Sequence, residues 1–352
     1  MIDLLTHLKE MLSAAGLSGF ESPIRKIVQE AWAPLTDELT VSKIGSLHGL
    51  KTGKGEQPRK RVMISAHMDA IGMMVTGIHD GLMRFTEIGG IDHRILPGQL
   101  VTVHGREDLP GVVVQPPAYL LPEGDSDGPV EMKYLLVDVG LRPDEVAQKV
   151  RVGDIISFAQ EPLELTGDAL AGHTLDNRVS VAATTLCLEE LKSREHHWDV
   201  WAVASAQEEE TLGGALTSPF DIRPDIAIVI DVCFARGPGS SDWRSLPYGK
   251  GVGLGYRPNI HPALFQLFED KAKELEIPYH RDLMPRMSGT DAMAIQVVEE
   301  GIPCMVLGIP LRYMHTPVET VSLKDIRRAG RLMAAVIADL APDALEHIKW
   351  EE

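Results

Sequence analysis

Short apolar runs alternating with stretches of helical spacing dominate both ends of the chain, whereas its middle has a different texture. Helical periodicity predicts helices over residues 4–15 and 22–32. The alternating segment DELTVSKIGSLHGLKTG predicts a strand pair. RVMISAHMDAIG carries a short buried strand that ends in His67 and Asp69. Further on, LDNRVSVAATTLCLEELKS reads as a long helix, and DVWAVASAQ, DIAIVIDV and PCMVLGI read as apolar strands. Helical stretches follow at residues 262–275, 290–299 and 323–340. Strands separated by helices predict an α/β fold with a mostly parallel central sheet covered on both faces.

Residues 70–159 break that pattern. AIGMMVTGIHDGLMRFTEIGG is two alternating runs about Asp80-Gly81, a hairpin signal. Short β-like runs continue in QLVTVHG, PGVVVQP, YLLVDVG and VGDIISFA, punctuated by Pro and Gly. The expected division is a catalytic α/β domain over residues 1–69 and 160–352, with a small all-β domain inserted at 70–159.

Composition narrows the function. The chain has 352 residues, 44% of them hydrophobic, enough for a sizeable core. Acidic residues outnumber basic ones by 51 to 34, a net charge of −17. That balance argues against nucleic acid or an anionic membrane as partner. Cys187, Cys233 and Cys304 each sit in an apolar stretch and are expected to be buried and reduced. The N-terminal helix has no signal-peptide apolar region, and no apolar run approaches the roughly 18 residues that cross a bilayer. These features predict a cytoplasmic protein.

The candidate chemistry lies where the apolar strands end, the edge at which open α/β sheets bind ligands. One strand ends at His67-Met68-Asp69, another at Gln207-Glu208-Glu209, a third at Asp231, and a fourth runs into PLRYMHTPVE with His315. Asp176 stands at the start of the long helix. Each residue alone has an ordinary explanation: Asp176 could be an N-cap, and the glutamate run could be a solvated loop. Together they crowd carboxylates that repel unless cations neutralise them. Two divalent ions would balance Asp176, Glu209, Asp231 and one hydroxide. Histidine and carboxylate ligands suit zinc or cobalt, with manganese also compatible. Asp69, two residues beyond His67, could accept the second ring N–H of that histidine and orient it.

SAHMDAIG, HTLDNRVSVA, AQEEETLGGA, IDV, SGTDAMAI and RYMHTPVE together resemble the motifs of the tetrahedral dinuclear metallo-aminopeptidases. These are the glutamyl, lysyl and deblocking aminopeptidase-like enzymes, sometimes labelled endoglucanases. The resemblance runs in order from GLSGFESPIRKIV to the final helix and includes the inserted segment. It implies that His67, Asp176 and Asp231 hold one metal and that Asp176, Glu209 and His315 hold a second. It implies that Glu208 is the general base, that Asp69 orients His67, and that a water activated between the metals releases N-terminal residues from short peptides. It further implies a homo-oligomer, a tetrahedral dodecamer built from dimers that pair through the inserted domain. Two positions depart from the family pattern, Ala70 after AHMD and Glu210-Thr211 with Gly213 after the glutamate pair.

Other readings share parts of this chemistry. A dinuclear zinc carboxypeptidase or deacylase would use the same ligands, and an inactive scaffold would keep the fold. Glu210 has no assigned role and is expected to be solvated or paired with Arg or Lys. Asp291 either caps a helix or shapes the site, Arg312 either holds substrate or braces its loop, with bracing favoured, and His93 and His173 are expected to be ordinary.

Overall fold

The computed structural model describes residues 2–122, 128–240 and 243–350. Helices α1 (Leu4–Leu12) and α2 (Ser22–Trp32) are followed by strands β1 (Glu38–Val41), β2 (Leu47–Lys51) and β3 (Arg61–His67). Next come β4 (Gly72–His79), β5 (Leu82–Ile88), β6 (Leu100–His104), β7 (Asp108–Val114), β8 (Leu136–Asp138), α3 (Pro143–Lys149) and β9 (Ile155–Phe158). The chain continues through β10 (Leu163–Leu165), β11 (Ala169–Gly172), α4 (Leu175–Glu190), β12 (Asp199–Ser205), α5 (Glu208–Thr211), α6 (Gly213–Ile222) and β13 (Ile226–Phe234). It ends with β14 (Val252–Tyr256), α7 (Pro262–Glu274), β15 (Tyr279–Leu283), α8 (Ala292–Ile295), β16 (Cys304–Arg312), β17 (Glu319–Ser322) and α9 (Leu323–Ala338).

Eleven strands form one sheet along the path β1-β2-β12-β3-β13-β16-β17-β11-β10, with β14 and β15 branching from β16. The four central strands, β12, β3, β13 and β16, are parallel, and antiparallel pairs flank them. Nearly every residue of β3, β12, β13 and β16 is buried, as expected of strands covered on both faces. Helix α4 is buried almost all round, which places it in the core rather than on the surface.

The inserted segment forms a closed six-stranded barrel in the order β4-β5-β8-β7-β6-β9, with its own core of residues such as Met73, Phe85, Val101, Val113, Val137 and Ile156. Closure removes the free edges that so small a sheet would otherwise expose. The expected hairpin turn is present. Asp80 and Gly81 both adopt positive φ (50° and 84°), and His79 stands opposite Leu82. Two left-handed residues match the twist of the strands they join.

Two sequence expectations shift. Helix is expected over residues 290–299, but α8 covers only Ala292–Ile295, because the backbone then tightens into turns, with the amides of Val297 and Val298 donating to the carbonyls of Ala294 and Ile295, and reverses at Glu299 (φ 54°) and Gly301 (φ 103°) to enter β16. Strand β13 does not end at Asp231 but runs three residues on, hydrogen-bonded to β16 as far as Phe234. Its ladder with β3 stops earlier, at Val229 opposite Ser65. Beyond that point β3 and β13 part, and the gap between them receives polar side chains.

His7 of α1 is buried against Thr185 of α4, with Nε2 3.3 Å from the hydroxyl oxygen. Burial pushes its pKa from 6.5 down to about 4. The unfolded chain therefore takes up this proton first as the pH falls. The stability tied to a neutral His7 is full above pH 6.5 and is lost on the way to pH 4, amounting to about 2 kcal/mol at pH 5. Urea unfolding at pH 7 and pH 5 is expected to show a smaller loss in His7→Gln than in the wild type. Equal losses would contradict this assignment.

Candidate active site

The residues singled out in the sequence come from five segments and meet at one edge of the sheet. His67 ends β3, Asp176 lies in the first turn of α4, Glu208 and Glu209 open α5, Asp231 lies in β13, and His315 comes after β16. His67 Nε2 lies 3.2 Å from Asp176 Oδ1 and 3.8 Å from both Glu208 Oε2 and Asp231 Oδ1. His315 Nε2 lies 3.5 Å from Asp176 Oδ2 and from Glu209 Oε2. Asp176 thus stands between the two rings, one oxygen toward each. It does not cap α4, whose N-cap position is Thr174.

The other nitrogen of each ring faces a backbone carbonyl. His67 Nδ1 is 3.1 Å from the Asp69 carbonyl oxygen, and His315 Nδ1 is 2.8 Å from that of Gly90. A carbonyl only accepts, so each Nδ1 carries a proton and Nε2 is the nitrogen turned to the carboxylates, a donor to them while the ring is charged and a ligand atom once it gives up that proton. Asp69 therefore meets the His67 ring through its carbonyl, with the nearer carboxylate oxygen at 3.6 Å. Strand β3 has ended at His67, so the alternation that would align the two side chains no longer holds. The Asp69 carboxylate turns instead to the start of α5, accepting from the amides of Glu208 (3.0 Å) and Glu209 (3.2 Å). Those amides are among the unpaired donors of a helix start.

Among the described residues, no lysine or arginine lies within ion-pair distance of Asp69, Asp176, Glu208, Glu209, Asp231 or Glu319. Burial raises Glu208 to about 7 and Glu209 to about 8, and raises Asp231 well above its ordinary range. Burial pushes Asp176 the same way, yet contacts with His315 and His67 draw it down to about 2. Asp176 in turn holds His315 up near 9, and His67 is raised despite its burial by Glu208 and Asp176. The imidazoles are pressed into the role of cations. The donor set fits divalent ions: tetrahedral zinc places neighbouring nitrogen and oxygen ligands about 3.3 Å apart, close to the spacings here. His67, Asp176 and Glu209 can bring ligand atoms within 4.8 Å of one another.

Glu319, the last residue of RYMHTPVE, is a participant that sequence reasoning missed. Fully buried at the start of β17, it accepts from the Asp176 amide (3.0 Å) and the His315 amide (2.8 Å). It ties together the backbones of two site residues from distant segments. Asp291 is buried beneath the site and accepts from Ser65 (2.7 Å) and Ser205 (2.5 Å), making no helix cap. Glu210, expected to be solvated or ion-paired, accepts instead from the Gly89 amide of the barrel at 2.5 Å. Arg312 braces its loop, donating to the Arg236 carbonyl (2.7 Å) and stacking on Tyr248. His93 and His173 are absent from the cavity that opens at this edge, whose volume is about 840 Å³. Thr174, Gln207 and His315 all hold positive φ near 60°, so backbone strain concentrates around the site.

This fold, and this edge of carboxylates and imidazoles whose donor set fits divalent ions, define the class as a hydrolase. The model of the M42 glutamyl aminopeptidase family matches residues 45–332, and the chain belongs to that family. It is 35% identical over 341 residues to the lysyl aminopeptidase of Pyrococcus furiosus, covering 95% of this chain and 97% of that one. A TET aminopeptidase from a marine sediment thaumarchaeon superposes with a TM-score of 0.92 at 30% identity, covering 98% and 99% of the two chains. The TET1 peptidase of Pyrococcus horikoshii, which can assemble into a tetrahedron or a large octahedral shell, gives a TM-score of 0.84 at 28% identity, covering 96% and 100%. The chain is accordingly an aminopeptidase. Among the described residues, no helix is long and apolar enough to cross a membrane.

Glu319→Ala would orphan two buried amides while leaving every imidazole and carboxylate ligand in place. Zinc titration against a competing chelator is expected to show affinity lowered about 10–100-fold with the far-UV circular dichroism unchanged. Unchanged affinity would show that Glu319 does not position the site.

Proposed function

We propose that the chain is a dinuclear metallo-aminopeptidase that removes N-terminal residues from short peptides. One observation carries the reading: two imidazoles aim their Nε2 atoms at a cluster of carboxylates, and Asp176 offers one oxygen to each. In this reading His67, Asp176 and Asp231 hold one ion, and Asp176, Glu209 and His315 hold the other. The nitrogen and oxygen donors suit zinc or cobalt, and manganese is compatible. Bound there, two divalent ions would acidify a water shared between them and polarise the peptide carbonyl.

The chain's own groups do the rest. Glu208 projects toward the same cluster as His67 but lies outside both ligand sets, free to exchange protons. A carboxylate so placed would take a proton from the attacking water and pass it to the departing amine. Asp69 fixes Glu208 by accepting its amide and fixes His67 through its own carbonyl, so it is a positioning residue. Gly90 holds the His315 tautomer, which makes the barrel part of the support of the site.

The division into a catalytic domain of residues 1–69 and 160–352 and an inserted domain of 70–159 belongs to the same reading, with the inserted barrel pairing subunits. A TET1 neighbour of 27% identity is a dodecamer. A tetrahedral dodecamer of this chain would enclose the sites and admit short peptides in preference to folded proteins.

Cobalt- or zinc-loaded protein is expected to release p-nitroaniline from free-amine aminoacyl substrates, and EDTA is expected to stop it. N-acylated substrates are expected to be inert, which separates this reading from a deacylase. Glu208→Gln is expected to keep fold and metal and lose about 10²–10⁴-fold in kcat. Unchanged turnover in that variant would remove Glu208 from the role of base.

A further inference from the structure

The cavity beside the metal-binding edge carries a charged group that hydrolysis itself does not require. Its floor is the sheet. Asp231 on β13 stands level with Gly308 on β16, Gly308 with Gly253 on β14, and Gly255 with Asp282 on β15. Residues level on neighbouring strands, and those two apart on one strand, project from the same face. Between the two aspartates the face therefore carries glycines, with Cys233 of β13 and Val306 of β16 beside them and Gly308 open to the cavity. A Cβ at Gly308 would come within 2.8 Å of Cys233 Sγ and 3.5 Å of Asp282 Oδ2. The Asp282 side chain thus lies across the glycine strip toward β16, ending one to two strand spacings from Asp231, about 5–10 Å.

Asp282 is largely withdrawn from solvent, and burial alone raises its pKa. Among the described residues it has no ion-pair partner and no side-chain hydrogen bond, although a partly buried carboxylate gains much from either. Val306, Met284, Met287 and Met314 give the cavity apolar walls. Apolar walls with an acid at the far end complement a side chain with a methylene stem and a cationic tip. The span from Asp231 accommodates the length of a lysine or arginine side chain.

We infer that Asp282 is the specificity-determining residue of this aminopeptidase and selects lysine or arginine at the N-terminal position of the peptide. The inference rests on the exopeptidase reading above. Arg244 and Arg286 also line the cavity, but both are exposed, and Arg244 is stacked on Trp243. Their charges are hydrated and screened at the mouth, whereas the Asp282 charge lies at the floor.

The test compares lysyl, arginyl, norleucyl and glutamyl p-nitroanilides with the cobalt-loaded wild type and Asp282→Asn. Norleucine shares the lysine stem without its charge. The wild type is expected to favour the lysyl over the norleucyl substrate by at least about tenfold in kcat/KM. Asp282→Asn is expected to lose about that factor on lysyl and arginyl substrates and to stay within about twofold on norleucyl. Wild-type preference for the norleucyl or glutamyl substrate would overturn the inference. So would an equal loss on all four in the variant, since that marks an α-amine ligand or a structural role. Should Asp282→Asn fail to fold, the wild-type lysyl-to-norleucyl ratio decides alone. Metal-loaded wild type that turns over none of the four would refute the aminopeptidase reading and this inference with it. Turnover with the wrong preference refutes only the role of Asp282.

Discussion

Crowded negative charge in a poorly hydrated pocket is the constraint on which the rest of this structure turns. Asp176, Glu208, Glu209 and Asp231, buried or mostly so, converge on His67 and His315, and among the described residues no lysine or arginine pairs with them. Isolated burial of even one carboxylate is costly, and several together are tolerable only with compensating positive charge. The surrounding fold is organised to make that compensation specific. Strands β3 and β13 part beyond Ser65 and Val229 to open the gap, and the Asp69, Gly90 and Glu319 acceptors hold the flanking backbone and rings. Divalent ions are the compensation that fits nitrogen and oxygen donors at these distances.

The barrel is tied into the same constraint. The carbonyl of Gly90 fixes one imidazole, and the neighbouring Gly89 amide meets Glu210, one residue beyond the pair that opens α5. A module whose core is separate from that of the α/β sheet thus contributes backbone groups to the site through a two-residue contact.

His67, Glu208, Glu209 and His315 were legible as candidates because a buried parallel strand is a strong local signal and the residues at or after its end are pinned to one edge, and Asp176 was legible from the start of a long helix. Asp231 was found for the right edge but the wrong reason, since its strand continues on the β16 side after losing β3. The orientation of Asp69 was misjudged because alternation stops where the strand stops. Glu319 was hidden by its ordinary setting, one acid at the start of a short strand, although it closes the RYMHTPVE motif. Its role depends on contacts with Asp176, 143 residues earlier in the chain. Glu210 escaped for the same reason, its partner being supplied by the inserted barrel. The antiparallel flanks of the sheet, and the placing of Asp282 across a glycine floor, likewise arise from strand order rather than from any local pattern.

The most direct test of the central claim is the metal content of the purified protein, measured by inductively coupled plasma mass spectrometry after equilibration with zinc and dialysis. The account predicts about two tightly held equivalents per chain, falling below one in Asp176→Asn, because that carboxylate serves both positions. Retention of no divalent ion by the wild type, or an undiminished content in Asp176→Asn, would contradict it.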